Sequence, residues 1–267
     1  MVLYRSIHSL GALMVSDKNW IILFGGVGRE ACIERLITEG LNVLAIVVPL
    51  NRNSKLDSVI GKLRTLPCDL VEVDRDGMSD SLLPLRGNSL LSIGFPYLIP
   101  EKLLALFKPA LNVHPTLLPR YRGPTTGAHI LINGERESGS TVHHMTAEMD
   151  RGDIVAQSRI PLTAFETIRS LQRKVYAGEP QLVVDALRAI AASIEPQPQD
   201  ERIATEFPKK RTPANSEIDP TRSLSELFDQ IRSCDPDDFP AFFMHEGQKV
   251  CIRLWRPEKS NDESDEI

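Results

Sequence analysis

Between Trp20 and Ala192 the apolar positions alternate between two spacings. WIILFGG is a continuous apolar run of strand length, whereas REACIERLITEG places Ala31, Ile33, Leu36 and Ile37 at helical intervals and stops at Gly40. LNVLAIVV, CDLVEV and SLLSIGF predict a second, third and fourth strand, and IPEKLLALF predicts a helix ahead of the strand-like run PALNV. Further on, TGAHILINGE predicts a helix turning at Asn133-Gly134, and STVHHMT and DIVAQSRI predict two more strands. Residues Thr163 to Ala192 have helical spacing, with a break expected near Gly178-Glu179-Pro180. Strands separated by helices predict an α/β fold with a mostly parallel sheet covered on both faces. Ligands of such sheets gather beyond the carboxyl ends of the strands.

The pattern also divides the chain. Residues 20–192 form the main domain, and 193–213, largely the stretch EPQPQDERIATEFPKKRTP, read as a polar, proline-spaced linker that marks a boundary or an extended crossing segment. SLSELFDQIRSC then predicts an amphipathic helix, and AFFMHEGQKVCIRLW two strands around Glu246-Gly247. This helix and β-hairpin, residues 214–257, are too small for a core of their own and are expected to dock on the main domain. Residues 258–267 form an acidic tail, and 1–19 an N-terminal extension whose apolar patch is interrupted by Gly11. A signal peptide is the weaker reading of that patch. Met14 is an alternative start that would make residues 1–13 optional.

Composition narrows the classes. The 267 residues are 42% hydrophobic and 25% charged, as in ordinary globular proteins, and the formal net charge of −5 excludes a general basic surface for nucleic acid. No apolar run approaches the roughly 18 residues of a membrane-spanning helix, so membrane insertion is not expected. Four cysteines without a CxxC pair fit reduced thiols in a cytoplasmic protein better than a disulfide frame or a zinc site.

Several segments carry candidate chemistry. In GGVGREA, Gly26, Gly28 and Ala31 follow a strand and open a helix, the context of a dinucleotide fingerprint. The second strand, however, ends Ala45 to Pro49 with no acidic residue to hold a ribose, which disfavours NAD. A helix start with small residues still suits an anion, and Arg29 would add charge, so Gly26, Gly28 and Arg29 are substrate-binding candidates. A tight turn without a ligand is the alternative. His143-His144 looks like a metal pair, but neighbours on a strand face opposite ways and no further ligand accompanies them, so no metal is expected. Arg120, Tyr121 and Arg122 lie in a Pro- and Gly-rich loop, where Arg122 is a candidate for a diphosphate. Asn112 and His114 are two apart on a predicted strand and share a face, and Asp150 lies in a turn between two later strands. An amide donor, an imidazole and an orienting carboxylate are the parts needed for acyl transfer to an amine.

The stretch LNVHPTLLPRYRGPTTGAHILINGERESGSTVHHMTAEMDRGDIVAQ resembles the hallmark of the formyltransferases that use N10-formyltetrahydrofolate. The shared pattern is Asn-x-His-Pro-x-Leu-Leu-Pro, Arg-Gly, Asn-Gly-Glu, Gly-x-Thr-Val-His and Met-Asp-x-Gly-Asp-Ile. The resemblance covers residues 20–192 and implies a Rossmann-like formyltransferase fold with catalytic residues Asn112, His114 and Asp150. His114 would take the proton of the attacking amine, and Asn112 would donate to the formyl oxygen, a contact worth about 3 kcal/mol. Asp150 would orient His114 and raise its pKa. The resemblance also implies that the folate pterin sits against Ile93, Gly94, Phe95, Pro96 and Tyr97 and near Asp150, with no metal.

The family's members differ in their acceptors. Purine-pathway members usually end after the first domain, and methionyl-tRNA formyltransferases carry a larger, basic C-terminal barrel. The segment RTPANSEIDPTRSLSELFDQIRSCDPDDFPAFF is similar to the compact tail of sugar-nucleotide N-formyltransferases. The expected reaction is therefore formylation of the 4-amino group of a nucleotide-linked amino sugar, with GDP-perosamine in lipopolysaccharide O-antigen biosynthesis as the leading acceptor. Methionyl-tRNA formyltransferase is the alternative, and a non-catalytic folate or nucleotide-sugar binding protein the second. Residues 49–57 and the GGVGREA turn are the expected sugar-recognition loops. The C-terminal hairpin could support a homodimer by edge pairing.

Overall fold

A computed structural model describes residues 19–124 and 126–259. The expected N-terminal extension up to residue 18, including the alternative start at Met14, lies outside the described residues, as does the acidic tail from residue 260 onward.

A seven-stranded sheet runs in the order β3-β2-β1-β4-β5-β6-β7. Its strands are β1 (Trp20–Phe24), β2 (Val43–Pro49), β3 (Asp69–Val73), β4 (Ser89–Ile93), β5 (Ala110–His114), β6 (Glu137–His144) and β7 (Ile154–Pro161). The first five are mutually parallel, whereas β5–β6 and β6–β7 are antiparallel. The helices are α1 (Ala31–Thr38), α2 (Ser54–Leu63), α3 (Met78–Leu82), α4 (Glu101–Leu104), α5 (Gly127–Ile132), α6 (Ile168–Ala191) and α7 (Leu224–Arg232). A separate hairpin pairs β8 (Ala241–His245) with β9 (Gln248–Ile252). This is the α/β, Rossmann-like fold expected, with its C-terminal helix and hairpin.

β1 is buried along its whole length because both sheet faces are covered. Ile22 and Phe24 join Ile33 and Leu36 of α1, Ile60 of α2 and Val183 and Leu187 of α6 on one side. Ile21 and Leu23 join Met78, Leu82, Leu103 and Phe107 on the other, as the two-residue period of a strand requires. Strand order reverses between β1 and β4, so their carboxyl ends open a crevice at the switch point. Gly25 is required there: a Cβ on it would lie 2.7 Å from the Gly94 carbonyl oxygen.

Two features differ from the sequence expectations, and a third decides between two of them. Helices α2 and α3 are unanticipated elements; α2 is opened by Asn53, whose side chain accepts from the Leu56 N–H at 3.0 Å. Helix α6 does not break near Pro180 but runs through it. The residue before that proline, Glu179, is fully buried and bonded to Arg29 and Ser140, so tertiary contacts hold a turn whose local chemistry disfavours helix. Of the two readings of residues 193–213, the structure has the extended crossing segment, bonded to the main domain along its length. Gln197 and Ile154 exchange backbone hydrogen bonds of 2.8 Å, and Arg122 is bracketed by Thr205 and Phe207, donating to one carbonyl at 2.9 Å and accepting from the other N–H at 2.8 Å.

The C-terminal unit docks through α7. Its Ser223 caps the helix in a reciprocal pair with Glu226, and Leu227 and Ile231 pack with Ile218 and Ala241. Arg232, buried, donates to the Glu166 carbonyl at 2.9 Å, and Arg169 pairs with Asp235 at 2.8 Å. Among the described residues no helix is long and apolar enough to cross a membrane.

Candidate active site

Asn112 and His114 stand at the end of β5, where antiparallel β6 sets Asn112 directly opposite His143. Residues two apart on one strand and directly opposed on its neighbour share a face, so all three side chains converge. Asn112 Nδ2 lies 3.2 Å from His143 Nε2, and His143 Nδ1 lies 2.8 Å from the His144 carbonyl oxygen. The carbonyl assigns the proton to Nδ1, leaving Nε2 to accept from Asn112. One N–H of the Asn112 amide is thereby held, and the other is available to the crevice.

His114 is 6% exposed and its Nε2 lies 2.8 Å from the Tyr121 carbonyl oxygen. That contact places a proton on Nε2, so Nδ1 is the basic atom, 3.6 Å from Asp150 Oδ2. Asp150 Oδ1 is 3.6 Å from His143 Nε2, and the Gly123 N–H donates to Oδ2 at 2.8 Å. Asp150 has a left-handed backbone (φ 57°), in the turn between β6 and β7. The structure therefore brings together all three expected catalytic residues and adds His143, which the sequence pattern assigns only a structural part. His143 ends the Gly-x-Thr-Val-His pattern, but what places it at the site is the β5–β6 register, which sets it opposite Asn112.

The electrostatics refine one expectation. Burial is the largest influence on His114 and pushes the imidazole below its ordinary value, although the Asp150 carboxylate pulls it up. Burial also opposes ionisation of Asp150, but the charge of the His114 and His143 rings in their protonated forms, with the Gly123 N–H, holds its carboxyl well below the usual carboxylate range. A neutral imidazole beside an ionised carboxylate is the resting state, and protonation at Nδ1 would place the new charge against that carboxylate.

These groups face a cleft of about 640 Å³ at the switch point of the sheet. One wall contains Gly94, Phe95, Pro96, Tyr97, Leu98 and Ile99 after β4, with Met145 to Asp150 nearby; the other contains Gly25 to Val27, Arg29, Gln172, Tyr176 and Lys210. Ile93, an expected folate contact, is instead fully buried within β4 and does not line the cleft. Gly26 lines it, whereas Gly28 does not.

Both arginines expected to bind the acceptor have other partners. Arg29 borders the cleft but is 3% exposed, and its guanidinium is taken up by Glu179, at 2.5 and 2.8 Å, and by the Val113 carbonyl at 3.0 Å. Its role is to tie α6 and the start of α1 to the backbone between Asn112 and His114. Arg122 is 2% exposed and absent from the cleft wall; it donates to Gln199 Oε1 at 2.8 and 3.0 Å and to Glu201 at 2.7 and 2.9 Å. Residues 49–57 do not line the cleft, and Arg52 there is held by Asp57 and Glu72. Among the described residues no group of three or more His, Cys, Asp or Glu side chains is arranged to hold a metal ion.

Residues 71–187 match the formyl transferase family. Asn112, His114, His143, Asp150 and Glu179 all fall within the stretch similar to that family, while Arg29 precedes it and Gln199 follows it. A methionyl-tRNA formyltransferase of Streptococcus pneumoniae (strain Hungary19A-6) is 35% identical over 158 residues, 59% of this chain and 50% of the relative. The chain thus spans about half the length of the curated relatives it matches. Two solved structures share the fold over nearly all of the described chain. A 4-N formyltransferase from Francisella tularensis matches with a TM-score of 0.75 and 20% identity, covering 93% of this chain and 100% of that one. An N-formyltransferase from Helicobacter canadensis, in complex with folinic acid and dTDP-3-aminofucose, matches with a TM-score of 0.66 and 20% identity, covering 87% of this chain and 86% of that one.

Proposed function

We propose that this protein transfers a formyl group from N10-formyltetrahydrofolate to the amine of a nucleotide-linked amino sugar. The observation that carries the reading is the convergence of Asn112, His114 and Asp150 at the cleft floor, beside the Gly94–Tyr97 wall. The free N–H of Asn112 suits the formyl oxygen as negative charge develops on it. Nδ1 of His114, neutral at rest, suits the proton released by the attacking amine, Asp150 steadies the imidazolium that results, and the same proton passes to folate N10 as its bond to the formyl carbon breaks and tetrahydrofolate leaves. No nucleophilic side chain is required, because the amine itself attacks. The Gly94–Tyr97 wall with Asp150 is the proposed folate contact, and the Gly26 turn with Lys210, an exposed cation at the rim, the proposed acceptor side.

The sugar acceptor is favoured by full-length likeness in fold to the Francisella and Helicobacter enzymes, the latter bound to a nucleotide sugar. Within that class we propose the 4-amino group, with GDP-perosamine for O-antigen as the first acceptor to try and the cytoplasm as the compartment. A homodimer through the C-terminal hairpin is part of the same proposal. A second reading, formylation of methionyl-tRNA, rests on the 35% identity to the Streptococcus relative. Purified protein given the folate donor and a panel of nucleotide amino sugars is expected to release tetrahydrofolate with at least one. Silence across the panel, together with turnover on methionyl-tRNA that falls steeply with salt, would favour the second reading. Binding of donor or nucleotide sugar without any turnover would leave a binding protein.

A further inference from the structure

The side chain of Gln199 reaches into the turn that carries Asp150. Its Nε2 donates to the Asp150 carbonyl at 2.8 Å and to the Gly152 carbonyl at 2.7 Å, while its Oε1 accepts twice from Arg122. Every hydrogen-bonding position of the amide is therefore used, and each partner bears on one object. Arg122 is almost wholly buried and is itself fixed by Glu201 and by backbone bonds to Thr205 and Phe207. The next residue, Gly123, donates its N–H to the Asp150 carboxylate. One unit of structure thus holds Asp150 at both ends, the main chain through Gln199 and the carboxylate through Gly123.

We propose that Gln199, braced by Arg122, is a positioning residue for formyl transfer, setting the Asp150 carboxylate against His114. The proposal rests on the formyl-transfer reading for its rate effect, but not for its effect on His114 itself. Asp150 sits in a left-handed turn with Arg151 and Gly152, and among the described residues the Gln199 amide is the group that pairs the Asp150 and Gly152 carbonyls. Loss of its donors frees the turn to relax and draws the carboxylate away from Nδ1. Displacements of about 1 Å in a reacting constellation can cost on the order of a hundredfold in rate.

Gln199→Glu tests this selectively, because a carboxylate still accepts from Arg122 but sets an oxygen against the two carbonyls. Gln199→Met removes the donors without adding charge and covers the case in which the first variant fails to fold. Arg202→Ala, on the same segment, removes an exposed side chain paired with Asp200 and serves as control. Both Gln199 variants are expected to lower kcat by about 10- to 100-fold, with KM for donor and acceptor unchanged. The independent readout is NMR titration of the His114 ring. The groups facing that ring are Asp150, the Tyr121 carbonyl, His143 and Arg29, and Asp150 is the one that raises its pKa by charge. The titration is expected to move to lower pH in both Gln199 variants and to stay in place in Arg202→Ala. An unmoved titration, whether or not kcat falls, overturns the proposal, since a purely structural role would lower Tm and active fraction alone. Absence of turnover in the unmodified protein would count against the formyl-transfer reading, while the His114 titration would still decide this one.

Discussion

Replacing Glu179 with Ala should expose how strongly this fold depends on one buried ion pair. Glu179 is fully buried, accepts from Arg29 at 2.5 and 2.8 Å, and accepts from the Ser140 hydroxyl at 2.8 Å. Its removal leaves a guanidinium that is 3% exposed, with the Val113 carbonyl and the Tyr176 ring, 5.2 Å away, as its remaining partners. Breaking a buried pair from one side costs about 3–5 kcal/mol, because the other charge stays uncompensated. At about 2–4 °C per kcal/mol for a chain of this size, Tm should fall by about 6–20 °C. Urea unfolding followed by circular dichroism should give the same loss with an unchanged slope. The double change Arg29→Met with Glu179→Leu removes both charges and should recover most of it. That double variant also decides between two roles for Arg29. If the guanidinium serves the fold, KM for the acceptor stays constant; if it holds the acceptor, KM rises. A Glu179→Ala protein within about 0.5 kcal/mol of the parent would refute the argument, since that is the range of ordinary surface changes.

If the neutral form of His114 is the base, as proposed, kcat/KM should rise with pH through a value below about 6.5 and then level off. Asp150 raises His114, so Asp150→Asn should lower the plateau and move the acid limb to still lower pH; movement upward would contradict the assigned geometry. Linkage has a definite sign here. The depressed native pKa of His114 means that its share of stability is present above the unfolded value of about 6.5 and is lost as pH falls from there toward the native value. The depressed Asp150 adds stability above about pH 4 that is lost on further acidification, which acid titration of Asp150→Asn against the parent should reveal. Gly123→Ala places a Cβ 2.3 Å from the Phe207 carbonyl oxygen at a backbone φ of 108°, and should lower stability by about 1–3 kcal/mol and reduce turnover with it, both readable from one thermal melt and one assay.

The parts that were legible in the sequence are those whose cause is local. The uninterrupted apolar run at Trp20–Phe24, the helical spacing from Ala31 and the strand ending in Asn112-x-His114 each report a period that the backbone obeys directly. Pro180 misled because its local cost is real, yet Glu179 beside it is bonded to Arg29, 150 positions earlier in the chain. Arg29 and Arg122 misled for a related reason. A charge next to a glycine turn suggests an anion site, and only the folded chain shows Glu179 and Glu201 already beside them. His143 stands in the Gly-x-Thr-Val-His motif, but its part in the site is not legible there because an antiparallel register, rather than spacing along one strand, puts it opposite Asn112.

The contacts of the Asp150 turn also order events in time. The sheet that carries Asn112 and His114 can pair as soon as β7 and α6 exist, but the carbonyls of Asp150 and Gly152 find their donor only 49 and 47 residues further along. During synthesis from the N-terminus, the core would therefore form before the carboxylate is locked in place. A nascent or clipped chain ending near residue 192 would keep its central strands while lacking the brace that aims Asp150 at His114. Competence for chemistry would then arrive as a separate, later event than folding of the core.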